Sequence, residues 1–147
     1  MIVDLAGVDD PRWQSALPVL RELRPNLTDE LFQQVIEEGT PQGLRFTAVF
    51  DGDDDSADCV AVAGWRVVAS SGVGRKLYVD DLSTAAAARS RGFGSEILSH
   101  LKDRARELGC SVLMLDSGVQ RFSAHRFYLR ERMEIRAHQF RMDIESA

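Results

Sequence analysis

Apolar residues recur along this chain with two periods, and turn residues stand wherever the period changes. Ile2 to Val8 alternates weakly, predicting a first strand. Asp9-Asp10-Pro11 then has the makings of a helix start, with a capping Asp and a Pro in the first turn. Trp13, Leu17 and Leu20 follow at i, i+4 and i+7, an apolar stripe that Pro18 can kink and Pro25 ends. Thr28 predicts the cap of a second helix, with Asp29 and Glu30 at its positive end, Leu31, Val35 and Phe32 facing inward, and Gly39-Thr40-Pro41 as its stop. Leu44–Phe50, Cys59–Ser70 and Lys76–Thr84 read as strands joined by short turn-rich links, which implies antiparallel pairing.

The period returns to helical after the loop Ala85–Ala88, where Phe93, Ile97, Leu101, Ala105 and Leu108 form a stripe closed by Gly109. Ser111–Leu115 is a short continuous apolar run, as a central strand requires, and parallel pairing through the preceding helix suits it. A last helix spans Phe122–Arg132, and Ile135–Ile144 alternates as a closing strand. The predicted fold is mixed α/β, a partly antiparallel sheet flanked by helices in the order β-αα-βββ-α-β-α-β. With 147 residues and no repeat or linker, residues 1–147 are expected to form a single domain.

Composition narrows the function. Hydrophobic residues make up 44% and charged residues 28%, as in ordinary soluble domains. No apolar run approaches the roughly 20 residues that span a bilayer, and the first residues lack a signal peptide's basic and apolar regions. A net charge of −5 argues against nucleic acid as a partner and suits a cationic substrate. Cys59 and Cys110 have no metal or redox spacing, so reduced thiols in the cytoplasm are expected. The five Asp within 51–58 read as a solvated hairpin tip, without the ordered spacing of a calcium loop.

The stretch with most chemical content is Arg89-Ser90-Arg91-Gly92-Phe93-Gly94-Ser95. Two glycines let the backbone turn sharply into a helix whose first N–H groups lack partners within it, making an anion site. Arg89 and Arg91 add guanidinium groups suited to phosphate. A dinucleotide fold would place such a turn after the first strand, with an acidic residue about 20 positions on. A P-loop would need Gly-Lys-Ser/Thr. Neither pattern is present.

The segment resembles another family. Arg89-Ser90-Arg91-Gly92-Phe93-Gly94 is similar to the Arg/Gln-x-x-Gly-x-Gly/Ala motif of the GNAT superfamily of acyl-CoA-dependent N-acyltransferases, and Tyr78-Val79-Asp80-Asp81-Leu82 resembles the strand before it. Ala124-His125-Arg126-Phe127-Tyr128-Leu129 resembles the family's Ala-x-x-Phe-Tyr helix, and the element order matches over essentially the whole chain. The resemblance implies acetyl transfer from acetyl-CoA directly to an amine. It places the pyrophosphate on the backbone of Arg89–Ser95 (Arg89, Arg91, Gly92, Phe93, Gly94, Ser95) and the pantetheine along Leu82, Ser83 and Thr84. It makes Tyr128 the acid that protonates the departing thiolate, where a thiol of pKa about 8.5 needs only modest help. The alternative for Tyr128 is a core aromatic beside Phe127. Asp80 matches a position where some members carry a base or amine binder; a salt-bridged strand Asp is the alternative. As neighbours on a strand, Asp80 and Asp81 are expected on opposite faces, Asp80 with Tyr78 and Leu82. His100 and His125 are expected to pack or face solvent.

One departure stands out. The family helix commonly ends in Gly and an aromatic, where this chain has Arg132-Met133. If that position is left-handed, losing glycine costs up to about 1 kcal/mol. The acceptor is open between a small cationic amine, such as a polyamine or aminoglycoside, and a protein amine, with a homodimer also open. No metal is expected. A non-catalytic acyl-CoA-binding module is the alternative function, and a nucleotide-binding module a third.

Overall fold

A computed structural model describes residues 1–54 and 56–146, and the chain divides into two compact units, Met1–Leu115 and Asp116–Ala147. The first unit runs β1 (Ile2–Leu5), α1 (Trp13–Leu23), α2 (Asp29–Gly39), β2 (Arg45–Phe50), β3 (Cys59–Ser70), β4 (Gly74–Thr84), α3 (Phe93–Glu107) and β5 (Val112–Leu115). Its sheet has the order β1-β2-β3-β4-β5. The first four strands pair antiparallel in sequence, and β5 pairs parallel to β4 after the α3 crossover.

Strand alternation sends the two faces of the sheet to two cores. Phe46, Ala48 and Phe50 of β2 meet Trp13, Val19 and Leu20 of α1 and Phe32 and Ile36 of α2. Val49, Trp65, Leu77 and Val79 meet Ile97, Leu101 and Ala105 of α3 on the other side. Trp13 anchors the first core, its ring edge-on to Phe32 at 4.7 Å and to Phe46 at 5.1 Å. Phe32 and Ile36, four apart on one helix face, are the buried pair of α2. Leu31, expected inside, is exposed. Thr28 caps α2 as expected, its Oγ1 accepting the Leu31 N–H at 3.1 Å.

The ends of two elements differ from expectation for a shared reason. β1 stops at Leu5 and α1 starts only at Trp13, because the Asp10 carboxylate takes the N–H groups of Ala6 (2.8 Å) and Arg12 (3.0 Å). The Arg12 guanidinium also bonds both oxygens of Asp10, at 2.9 and 2.7 Å. That guanidinium holds the Asp10 carboxyl well below the usual carboxylate range, against the opposing pull of burial. The α3 end is as predicted: Gly109 is left-handed at φ +71°, and the N–H of Cys110 reaches back to the Ala105 carbonyl at 2.8 Å.

The second unit contains one regular element, α4 (Phe122–Arg130). Its end is a Schellman turn: the N–H of Met133 bonds the Tyr128 carbonyl and that of Arg132 the Leu129 carbonyl, both at 3.0 Å. The left-handed residue that this turn demands is Arg132, at φ +64°. Arg132→Gly is therefore expected to stabilise the protein by about 0.5–1 kcal/mol, read from a denaturant midpoint with an unchanged slope. The closing strand expected over Ile135–Ile144 does not form. A strand needs a neighbour's ladder, and none pairs with this segment among the described residues. Its alternation leaves Phe140 and Ile144 at 93% and 88% exposure. No helix among the described residues is long and apolar enough to cross a membrane.

Candidate active site

The residues that matter are set by one irregularity in the β3–β4 ladder. Gly64 pairs with Asp81, but the next residue, Trp65, pairs with Val79, so Asp80 is an extra residue in β4. Such a bulge re-aims side chains. Leu77 and Val79 before it, and Leu82 after it, pack with the α3 core. Ser83 turns the other way, its hydroxyl donating to the Val19 carbonyl of α1 at 2.7 Å. Asp80 and Asp81 both project to this α1 side, Asp80 to Arg66 of β3 at 2.9 Å and Asp81 to Arg24 at 2.8 Å. The expectation of opposite faces is therefore corrected, and Leu82 does not share the face of Asp80. Strict alternation fails where a strand holds one residue more than its partner.

Gly64 makes the space for this arrangement. A Cβ there would stand 2.7 Å from the Phe46 ring and 2.8 Å from the Asp81 carboxylate. Arg24 arrives from the end of α1, where Pro25 disfavours helical geometry and leaves it at φ −123°, ψ 73°. Its Nε donates to Asp81 Oδ1 and its Nη2 to the Asp80 carbonyl at 3.0 Å. Burial pushes the Asp81 carboxyl above its ordinary range, the Arg24 guanidinium pulls it back, and the Asp80 charge pushes it up again.

Beyond the bulge the sheet opens. β5 pairs only with Lys76–Val79 of β4, whereas β3 pairs with β4 as far as Thr84. Leu82, Ser83 and Thr84 therefore present one edge with no strand beside it among the described residues, and that edge can pair with an extended ligand as an added strand would. The chain then passes a short 3₁₀ turn, Ala86–Ala88, and enters the glycine segment. Ser90 at φ +64° and Gly92 at φ +88° are both left-handed, and α3 starts at Phe93. A 15-residue helix so begun directs its first N–H groups and its positive end outward.

The arginines of this turn are placed differently. Arg91 is engaged, bonding Asp51 at 2.9 Å and lying 5.0 Å over the Phe93 ring, while Arg89 is exposed. Asp51 comes from the acidic hairpin tip, whose Asp55 lies outside the described residues. In the second unit Tyr128 sits half-buried on α4, its ring 5.4 Å from Phe127. Burial raises its phenol above the ordinary range, and the Arg121 charge opposes that. Such a phenol keeps its proton at neutral pH and can donate it. Among the described residues no cluster of three or more His, Cys, Asp or Glu is placed to hold a metal ion.

Sequence periodicity missed the bulge, Asp81, Arg24 and Asp51. A glycine inside a strand, Gly64, is the signal that could have announced the bulge. Nothing local could have paired Arg24 with a residue 57 positions away.

The chain is similar to known proteins over most of its length. The profile of the family described as Acetyltransferase (GNAT) matches residues 12–132. The chain is 35% identical over 117 residues to the uncharacterized N-acetyltransferase YhdJ of Bacillus subtilis (strain 168), covering 79% of this chain and 80% of that one. It is 31% identical over 105 residues to glucosamine 6-phosphate N-acetyltransferase 1 of Oryza sativa subsp. japonica, covering 68% of this chain and 63% of that protein. The crystal structure of a probable acetyltransferase shares the fold at a TM-score of 0.79 and 18% identity, covering 100% of this chain and 99% of its own. A profile that matches most of the chain and a relative 35% identical over four fifths of both chains show the family: the chain belongs to the GNAT family of acetyltransferases.

Proposed function

We propose that the protein moves an acetyl group from acetyl-CoA directly to an amine. The observation that carries this reading is the open edge of Leu82–Thr84 running within ten residues into the left-handed turn at the start of α3. The two features fit the two halves of acetyl-CoA. The backbone of Leu82, Ser83 and Thr84 would hold the pantetheine by strand addition. The N–H groups of Gly92, Phe93, Gly94 and Ser95 would hold the pyrophosphate. Arg91, already engaged by Asp51, and Arg89 contribute charge more than geometry. When bound, acetyl-CoA supplies a thioester whose carbonyl carbon the amine attacks as the C–S bond breaks.

The chain's own groups manage the protons. Asp80 and Asp81 form the acidic side of the site. Asp80 is fixed by Arg66 and orients the amine, and Asp81, whose carboxyl burial raises, acts as the base. Tyr128 donates its hydroxyl proton to the departing sulfur and regains one from solvent. No cysteine lies in either motif, so transfer is direct. The whole chain acts as one acetyltransferase domain, a reading supported by a family match that runs across residue 115. Two free cysteines favour a cytoplasmic setting.

The acceptor is an amine of small molecule or protein. A rice relative is named for glucosamine 6-phosphate, which makes amino-sugar phosphates one class to test beside polyamines. Tyr128→Phe is expected to lower kcat about 10²- to 10⁴-fold while acetyl-CoA still raises the melting temperature. Thiol release across an amine panel reads the first effect and a thermal melt the second. Unchanged turnover would remove Tyr128 from the mechanism.

A further inference from the structure

The ion pair between Arg24 and Asp81 is built unevenly. The Asp81 side chain is 17% exposed and fixed in the ladder opposite Gly64, whereas that of Arg24 is 52% exposed. Asp80, on the same face, has its own partner in Arg66, which Gln42 also holds at 3.2 Å. Arg24 is therefore the counter-cation of Asp81. Its two contacts at the bulge, Asp81 Oδ1 and the Asp80 carbonyl, are both acceptors facing one outer cation. An alkylammonium carries the same charge and three donors on a compact head, enough to take both acceptors at once.

We propose that Arg24 stands in for the acceptor's ammonium group: in the free chain its guanidinium occupies Asp81 Oδ1 and the Asp80 carbonyl, and the arriving acceptor displaces it from both. This inference rests on the acetyltransferase reading above and adds the residue that competes with its acceptor. An N–H bond of the ammonium breaks, its proton passes to an Asp81 oxygen, and the nitrogen keeps the electron pair that forms the bond to the acetyl carbon. The second proton leaves to water as the amide forms. Arg24 is a positioning residue, holding Asp81 ionised until the amine replaces it. The charged groups that face Asp81 are Arg24 from the end of α1, Asp80 from its own strand and Arg66 from β3.

The test is calorimetric titration of putrescine into the full chain saturated with CoA, using the wild type, Arg24→Gln, Arg24→Lys and Asp81→Asn. Arg24→Gln is expected to bind putrescine about threefold to tenfold tighter, because no internal cation competes. Arg24→Lys should fall between it and the wild type, and Asp81→Asn should bind more weakly than either. The pH below which Arg24→Gln loses putrescine should lie above that of the wild type, since the missing guanidinium no longer lowers Asp81. Equal affinity in wild type and Arg24→Gln, with only a lower melting temperature, would make the pair structural and overturn the proposal. Weaker putrescine binding in Arg24→Gln, weaker glucosamine 6-phosphate binding in it, or no putrescine binding by any form would overturn it as well. If Arg24→Gln fails to melt cooperatively, the comparison of Arg24→Lys with the wild type decides the same question. Acetyl-CoA melts run alongside separate the two levels. No shift with acetyl-CoA defeats the acetyltransferase reading itself, whereas a normal shift with flat putrescine affinities defeats only the role of Arg24.

Discussion

Asp81→Asn is expected to cut kcat/KM by about 10²- to 10⁴-fold while acetyl-CoA binding survives. The same substitution should raise the melting temperature at neutral pH. Burial raises the Asp81 pKa in the folded chain, so the fold favours the protonated form. Its contribution to stability is present below the ordinary carboxylate pKa and is lost as pH rises through the folded value. Wherever Asp81 is ionised, the wild type carries a largely desolvated charge that Arg24 only partly offsets, and asparagine carries none. The gain should vanish in acid, where Asp81 is already protonated. Rate and stability moving in opposite directions is the mark of a group held for chemistry. The wild-type kcat/KM should fall on an acidic limb above the usual carboxylate range, and the residual activity of Asp81→Asn should lack it. A variant of normal activity would assign the base elsewhere.

Gly92→Val is expected to abolish acetyl-CoA binding. Gly92 sits at φ +88° with nothing within 4 Å of a Cβ placed there, so the obstacle is conformational rather than steric. An L-residue in that region costs about 1–2 kcal/mol, most for a β-branched one. The turn would relax to negative φ and swing the first N–H groups of α3 away from a common centre. Isothermal titration should show the loss, while the unbound protein melts cooperatively a few degrees lower. Gly92→Ala should show the same loss in milder form. Full affinity in Gly92→Val would move the phosphate site away from this turn.

The sequence made the glycine turn legible because a left-handed residue and a helix start both have local chemistry. The same holds for Thr28 and Gly109, whose cap and stop formed as read. The cores were legible through periodicity, although the face of α2 was turned by one position, since Leu31 and Phe32 are equally apolar and only Trp13 decides between them. The bulge was not legible. Its effect on Asp80 and Asp81 depends on a register set across two strands, and alternation is blind to an inserted residue. The closing strand failed for the converse reason: Ile135–Ile144 has the period of a strand, but a period does not supply a partner. Arg132 was flagged by its departure from the family pattern and proved to occupy the left-handed position that a glycine would fill.

Amide hydrogen exchange with and without acetyl-CoA tests the central claim most directly, because it reads the two proposed contacts residue by residue. Binding is expected to slow exchange in two places, Leu82–Thr84 and Gly92–Ser95, with Gly92→Val losing both effects. Protection confined to other segments, or none at saturating acetyl-CoA, would contradict the account.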